Sequence, residues 1–354
     1  MQNLKRKVVQ IGSVTIGGGS PIPVQSMTNT DTHDFQACYE QIKKLEEAGC
    51  DIVRLAVPDL DAVQTIRQIK KSDISIPIVA DIHFDYRIAV ACCAAGVDKI
   101  RINPGNIGSK DRVREVVAAC RERLIPIRIG VNSGSLEKDI LTKFGAPTAE
   151  ALAESALRHV RILEDLNYEE IVISIKSSDV RTMIAANRLL YNSAAYPLHI
   201  GVTEAGSRHI GTIKSAIGIG SLLADGIGDT IRVSLTSDPI NEVIEGRTLL
   251  QALDLDEKSK VSIVSCPTCG RTKINLIELV NKFETDYLPI LHPSRKIKVA
   301  LMGCVVNGPG EAREADIGIT GGNGEALIFK KGEIIAKVKE EKALEALCEE
   351  INRM

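Results

Sequence analysis

The sequence has no tryptophan and only five phenylalanines and six tyrosines. Proteins that bind single-stranded nucleic acid stack the bases on aromatic side chains, and this chain has few to offer. An excess of one charge is also missing, because 44 lysines and arginines face 46 aspartates and glutamates, for a net charge of -2. Such a balance gives no general attraction to nucleic acids or anionic membranes. We therefore predict neither as a partner.

Long apolar runs are absent as well, and a membrane-spanning helix needs about 20 such residues. Residues 215–224 form one of the longer runs, and Asp225 ends it. The basic N-terminal residues 1–7 are not followed by the apolar segment of a signal peptide. These absences predict a cytoplasmic protein. In that reducing compartment, nine cysteines are expected to bind metal or lie buried rather than form disulfides.

Six of the nine cysteines are expected to be small buried hydrophobic residues. They lie in or beside helical stretches rich in alanine, valine or leucine: Cys38, Cys50, Cys92, Cys93, Cys120 and Cys348. This expectation leaves three cysteines to explain.

The remaining cysteines lie in turns rich in glycine and proline, which indicates a metal site. Cys266 and Cys269 frame the sequence Cys-Pro-Thr-Cys-Gly, and Cys304 follows 35 residues after Cys269. Thiolates suit zinc or an iron–sulfur cluster. Either metal group requires a fourth ligand, and the spacing of the cysteines alone does not identify it. His292 could complete a zinc site, and Glu311 follows a turn that could return the chain toward Cys304, although a solvated carboxylate is the simpler interpretation.

Short β-branched runs alternate with amphipathic helical stretches from about residue 20 to residue 254. Eight of these runs predict strands: 23–27, 51–57, 77–82, 99–103, 126–132, 170–176, 198–203 and 230–235. Eight β–α repeats over about 235 residues match the size of a TIM (β/α)8 barrel. The alternative, an open doubly wound sheet, rarely has eight similar units without a glycine-rich nucleotide fingerprint. A hairpin of residues 7–11 and 14–16 could close the barrel floor.

A second domain follows the barrel. The charged segment 253–260 predicts the boundary, which gives a barrel domain of residues 1–254 and a second domain of residues 255–354. Predicted strands at 261–264 and 296–301, a hairpin around Gly321–Gly324 and a final helix at 340–352 make this a small α+β domain. The glycines lack nucleotide-binding spacing, so they indicate a turn.

Cations lie toward the carboxyl ends of the predicted strands, where a TIM barrel has its active face. Five strands contribute one each: Arg54, Arg101, Arg128, Lys176 and Arg232. An unpaired buried cation costs on the order of several kcal/mol. Asp81 and Glu204 are too few to neutralise five cations, so a phosphate or diphosphate ligand is expected. For any single cation, a salt bridge at the rim remains the alternative.

Lys176 also allows a different chemistry. A Schiff-base aldolase acting on a phosphosugar would use a desolvated lysine as nucleophile, and the cysteine domain would then hold structural zinc. Against this, four arginines in the same cavity equally suit a lysine that binds phosphate. A third interpretation makes the barrel a sensor of a phosphate ligand with a regulatory metal module, which turnover of a diphosphate substrate would exclude.

Eight motifs spread over nearly the whole chain resemble one family. They are residues 21–27 (PIPVQSM), 81–84 (DIHF), 101–106 (RINPGN), 130–135 (GVNSGS), 176–179 (KSSD), 199–206 (HIGVTEAG), 266–271 (CPTCGR) and 307–311 (NGPGE). On these motifs the chain resembles the bacterial 4-hydroxy-3-methylbut-2-en-1-yl diphosphate synthase family of the methylerythritol phosphate pathway. Its length fits the two-domain form of that family.

The resemblance implies a reaction and a cofactor. The reaction is the two-electron reductive dehydration of 2-C-methyl-D-erythritol 2,4-cyclodiphosphate, which opens the ring. The implied cofactor is a 4Fe–4S cluster. Its implied ligands are Cys266, Cys269, Cys304 and Glu311.

The resemblance also implies roles for the barrel residues and for partners. The five cations would clamp the diphosphate, and Glu204 would be the acid near the departing hydroxyl. Further donors would be Asn103, Asn132 and Ser234. Reduced flavodoxin or ferredoxin would supply electrons, and a homodimer would let the cluster domain of one subunit cap the barrel of its partner.

Overall fold

The computed structural model describes residues 6–304, 314–322 and 324–354. The chain divides into two compact units, Met1–Leu255 and Asp256–Met354. Each unit has its own hydrophobic core. Glu311 and the turn before it lie outside the described residues.

Eight parallel strands close into a barrel in the first unit. An antiparallel hairpin precedes them, formed by β1 (Val9–Ile11) and β2 (Val14–Ile16). The barrel strands are β3 (Gln25–Met27), β4 (Ile52–Ala56), β5 (Ile78–Asp81), β6 (Lys99–Ile102), β7 (Ile127–Asn132), β8 (Ile171–Lys176), β9 (His199–Ile200) and β10 (Thr230–Ile231). The first six pair in chain order, and β9 pairs with β10. Bridges from Ile173 to Leu198 and from Val24 to Ile231 complete the circle, which confirms the predicted barrel.

Helices alternate with these strands, and side-chain caps mark where several of them begin. The helices are α1 (Phe35–Glu47), α2 (Val63–Ile69), α3 (Tyr86–Ala95), α4 (Pro104–Ile107), α5 (Lys110–Glu122), α6 (Lys138–Phe144), α7 (Ala149–Glu164), α8 (Val180–Ser193), α9 (Arg208–Ala224) and α10 (Pro239–Ala252). Asp34, Thr148 and Asp179 each accept a hydrogen bond from a first-turn N–H group, which satisfies a donor that the helix itself leaves free. No helix in the described ranges is long and apolar enough to cross a membrane.

The hairpin closes the barrel floor, as predicted. Its apolar side chains bury against residues near the amino ends of three strands in one cluster: Val9, Ile11, Ile16, Ile52, Val79 and Val172. The hairpin therefore covers the barrel interior at the amino ends of the strands, opposite the carboxyl ends where TIM barrels have their active face.

The last two barrel strands are shorter than predicted. The sequence indicates strands at 198–203 and 230–235, but the ladder covers two residues of each. The Arg232 N–H still donates to Ile200 O at 3.1 Å, after which both segments turn into loops. The apolar pattern continues in those loops because Val202 and Val233 are buried, so periodicity alone overestimates the strands.

The second unit is the predicted α+β domain. Its sheet has the order β11 (Val261–Ser265), β12 (Ile297–Met302), β13 (Ile317–Gly321), β14 (Ala326–Lys330) and β15 (Glu333–Val338). The first three strands are parallel and the last two are antiparallel additions. Helices α11 (Leu276–Lys282) and α12 (Ala343–Asn352) pack on it. The sequence misses β15 because this edge strand is largely exposed and carries no clear apolar alternation.

Candidate active site

Among the described residues of the barrel unit, six cationic side chains on strands or strand ends are buried or at most 15% exposed, and they come from five strands because two of them lie on β6. They are the five predicted cations and one that the sequence did not single out: Arg54, Lys99, Arg101, Arg128, Lys176 and Arg232. Arg128 is 1% exposed and Lys99 is fully buried. The positive fields of Arg232 and Arg54 act on Lys176, and those of Arg54 and Arg101 act on Arg128. The cations therefore converge on one region.

This crowding is electrostatically unfavourable. Burial, and then the fields of neighbouring cations, holds the pKa of Lys176 and of Arg128 well below the usual range. Burial likewise lowers the pKa of Arg54 to about 10, with Asp81 acting in the opposite direction. An anion that entered this region would offset the repulsion between the cations and raise their pKa values toward the usual range.

Among the described residues, Asp81 is one of two carboxylates that partly neutralise the cluster. Its Oδ1 accepts from Arg101 Nη1 at 2.9 Å, and its Oδ2 lies 3.7 Å from Arg54 Nε. Burial by itself would raise the pKa of Asp81, but the two arginines outweigh it and lower the pKa. Asp81 is therefore ionised and shared between two cations.

The second carboxylate is Glu242, which the sequence analysis missed. It lies in the first turn of α10, is 4% exposed and approaches Arg232 Nε and Nη2 at 3.3 Å. It also accepts from Leu235 N–H at 3.0 Å and Ser26 Oγ at 3.1 Å. An acidic residue in a first helical turn usually serves the helix dipole, so its sequence position gave no signal of a role in the barrel.

Several donors in the cluster have no hydrogen-bond partner among the described residues. They are Arg128 Nε, Arg128 Nη1 and Arg101 Nε, all buried from solvent. A buried donor without an acceptor costs about 1–3 kcal/mol, and more when it is charged. The arrangement has the chemistry of a site built for an oxyanion with several acceptor oxygens.

Two glycines make room for the cations. A Cβ atom at Gly130 would lie 2.5 Å from Arg101 Nε, and one at Gly201 would lie 3.1 Å from Lys176 Nζ and 2.4 Å from Arg232 O. Any larger residue would displace the backbone or the charged groups. These glycines therefore belong to the architecture of the site.

The remaining predicted barrel residues follow the same strand ends. Asn103 is buried just after β6, Asn132 ends β7, and Ser234 is half-buried beyond β10. Glu204 lies between β9 and α9, is exposed and, among the described residues, forms no ion pair with the cations. Its φ of 51° is left-handed, which costs a non-glycine residue roughly 1 kcal/mol.

The cysteines lie in the second unit on two loops that contact each other. Ser265, which precedes Cys266, pairs with Leu301, so Cys266 and Cys304 follow neighbouring parallel strands. The Gly303 N–H donates to Cys266 Sγ at 3.2 Å. Cys269 is exposed, and a hydrogen bond from the backbone of Arg271 is the main cause that lowers its pKa. The other six cysteines are all buried, as predicted.

This loop pair fits a soft metal group by its donor types. Two neighbouring strand ends bring the three thiols to the same end of the sheet, and a backbone N–H aimed at Cys266 Sγ is a partner that suits a ligating thiolate. In the described ranges, no three His, Cys, Asp or Glu side chains form a group that could hold a metal ion. His292, the zinc ligand considered above, is exposed.

Comparisons with known proteins cover the whole chain. A family model described as the GcpE TIM-barrel domain matches residues 6–247, and one described as the GcpE protein C-terminal domain matches residues 262–353. A protein of Clostridium acetobutylicum is 60% identical over 100% of both chains. Proteins of Geobacter sulfurreducens and Brevibacillus brevis are 56% and 54% identical over 99% and 98% of this chain, and over 98% and 95% of theirs. All three are named 4-hydroxy-3-methylbut-2-en-1-yl diphosphate synthase (flavodoxin).

Proposed function

Because this chain belongs to the GcpE family, we propose that its buried cation cluster binds the cyclic diphosphate substrate of that family's reaction. The protein is an oxidoreductase of isoprenoid precursor biosynthesis. It converts 2-C-methyl-D-erythritol 2,4-cyclodiphosphate to 4-hydroxy-3-methylbut-2-en-1-yl diphosphate. The observation that carries the proposed site is the excess of buried cations over the two carboxylates, Asp81 and Glu242.

In the proposed clamp, the cations differ in whether they already have a hydrogen-bond or ion-pair partner in the protein. Arg128 offers Nε and Nη1, which have no partner among the described residues, so a phosphoryl oxygen completes its coordination. Arg54, Arg101 and Arg232 already share Asp81 or Glu242, which fixes their orientation before substrate enters. Lys176 adds a charge that becomes favourable only when the anion is present. Asn103, Asn132 and Ser234 contribute further hydrogen bonds.

Glu204 is the proposed acid of the reaction. The substrate gains two electrons, its ring carbon–oxygen bond opens, and one hydroxyl leaves as water. Hydroxide is a poor leaving group, so a carboxylic acid that protonates the departing oxygen lowers the barrier. The left-handed backbone of Glu204 supports this role, because such strain persists where the position of a side chain matters.

Cys266, Cys269, Cys304 and Glu311 are the proposed ligands of a 4Fe–4S cluster. When bound, the cluster supplies the electrons of the reduction. Flavodoxin is the electron donor that the relatives' name specifies, and we extend this to either flavodoxin or ferredoxin. We further propose a homodimer in which the cluster domain of one subunit caps the barrel of its partner.

The proposed cofactor is tested by the colour of the anaerobically purified protein. We expect a brown protein with broad visible absorption that turns over the cyclic diphosphate with reduced flavodoxin. Cys304→Ser should lose colour and turnover, whereas Cys348→Ala, which alters a buried cysteine in the core of the same unit, should keep both. Colourless wild-type protein with one tightly bound zinc per chain would overturn the cofactor proposal.

The aldolase interpretation of Lys176 has its own test. Incubation with dihydroxyacetone phosphate and borohydride should leave the mass of the peptide containing Lys176 unchanged, because this lysine lies among cations that hold phosphate rather than a carbonyl. A reduced adduct on that peptide would contradict this expectation. An aldolase with a known Schiff-base lysine, treated in parallel, provides the positive control.

A further inference from the structure

Lys99 is a buried amine to which the proposed mechanism gives no role. It is the first residue of β6, and its Nζ donates to Gln25 Oε1 at 3.3 Å. Gln25 is on β3, which is not a neighbour of β6 in the sheet, so this hydrogen bond crosses the barrel interior. Both residues are fully buried. The amine therefore points inward and has a neutral amide as its partner.

The charged groups around Lys99 come from several strands. Arg54 on β4 and Arg128 on β7 act on it, and Lys99 in turn acts on the buried imidazole of His199 on β9. Burial is the largest cause that holds the pKa of Lys99 well below its usual range, followed by Arg128 and Arg54. Asp81 on β5 is shared between Arg101 and Arg54, and no described carboxylate forms an ion pair with Lys99.

The fields of Arg54 and Arg128 thus act on Lys99, and in the proposed function the same two arginines bind the diphosphate. We propose that Lys99 takes up a proton from solvent when a diphosphate binds to the cation cluster, so that substrate binding is coupled to protonation of the barrel interior. The step forms one N–H bond and moves no electrons. This inference rests on the proposed diphosphate site, because the ligand's negative charge is what offsets the fields of Arg54 and Arg128.

The coupling has a defined sign. Binding that takes up a proton is strongest at a pH below the pKa of Lys99 in the free enzyme. Affinity then falls as the pH rises through the interval between the free and the bound pKa, by at most about tenfold per pH unit for one proton. Above the pKa that Lys99 has in the complex, this residue no longer makes the affinity depend on pH.

Calorimetry without reductant measures the coupling directly. The holoenzyme is titrated anaerobically with 2-C-methyl-D-erythritol 2,4-cyclodiphosphate at several values between about pH 7 and 9, below the ordinary range of lysine. The diester-like phosphates of this ligand do not titrate there. Each titration is repeated in buffers of low and high ionisation enthalpy, such as HEPES and Tris. The dependence of the observed heat on the buffer gives the number of protons taken up.

Matched variants assign the proton to one residue. Wild type should take up as much as one proton per site through Lys99, and both Lys99→Met and Lys99→Arg should lose that share, since one cannot be charged and the other stays charged. Lys143→Met removes an exposed lysine that pairs with Glu154 outside the cation cluster, and it should retain that uptake. Uptake that is as large in both Lys99 variants as in wild type, or that disappears in Lys143→Met, overturns the inference. Wild-type binding with no buffer dependence overturns it while leaving the proposed function intact, whereas absence of binding overturns the proposed diphosphate site itself.

Discussion

Arg128→Met should abolish measurable substrate binding while making the free enzyme more stable. Arg128 is 1% exposed, and two of its nitrogens have no hydrogen-bond partner among the described residues. The folded protein therefore bears the cost of a poorly compensated buried cation, and replacing such groups with apolar residues is neutral or stabilising by about 1–4 kcal/mol. The bound state loses charge-assisted hydrogen bonds worth about 1.5–3 kcal/mol each, so two of them reduce affinity by roughly two to four orders of magnitude.

Arg247→Met is the matched control for this prediction. Arg247 also comes from the barrel unit, but it pairs with Asp51 and donates to Gly49 O, both of which precede β4 at the amino end of the barrel. Its loss should lower stability and leave substrate affinity unchanged. Thermal unfolding measures the stability of both variants, and calorimetric titration measures their affinity for the substrate. A destabilised Arg128→Met that still binds substrate normally would contradict the proposed clamp.

The barrel and its cation cluster were predictable because the alternation of residues along each strand indicates both the strand and the side chains that point to the barrel interior. Arg54, Arg101 and Arg128 interrupt apolar runs at positions whose side chains alternate into the interior, and the structure brings them together. Lys99 lies two residues before Arg101 in the same strand, so both side chains point to the same face of the sheet. The two-residue alternation of a strand could therefore have identified Lys99. It was missed because an initial lysine of a predicted strand is usually an exposed boundary residue.

Other features depended on tertiary structure that no local pattern reveals. Glu242 reaches the cluster from a helix, and only the packing of α10 against β3 explains its burial next to Ser26 and Arg232. Glu204, which was expected to help neutralise the cations, is exposed. Glu242 pairs with Arg232 instead. The loop geometry after β9 determines this exposure, and a positive φ at a glutamate has no sequence signature.

Glu204→Gln should bind substrate with nearly unchanged affinity but lose turnover. Glutamine has the same shape and adopts the same left-handed φ with a similar cost, so the loop should keep its conformation. Its amide has no acidic proton to give to the departing hydroxyl. General acid catalysis contributes typically about 10²–10⁴-fold, so kcat should fall by that factor while KM changes little.

Steady-state turnover with reduced flavodoxin, together with the visible spectrum, distinguishes this effect from damage to the redox site. Glu169→Gln is the matched control, because Glu169 is an exposed carboxylate that precedes β8 at the opposite end of the barrel and pairs with Lys7. That variant should keep full turnover. If Glu204→Gln also retains near-normal kcat with an intact spectrum, the proton reaches the leaving hydroxyl from another donor. Asp81 could not readily be that donor, since Arg54 and Arg101 hold its pKa below the usual range and keep it ionised.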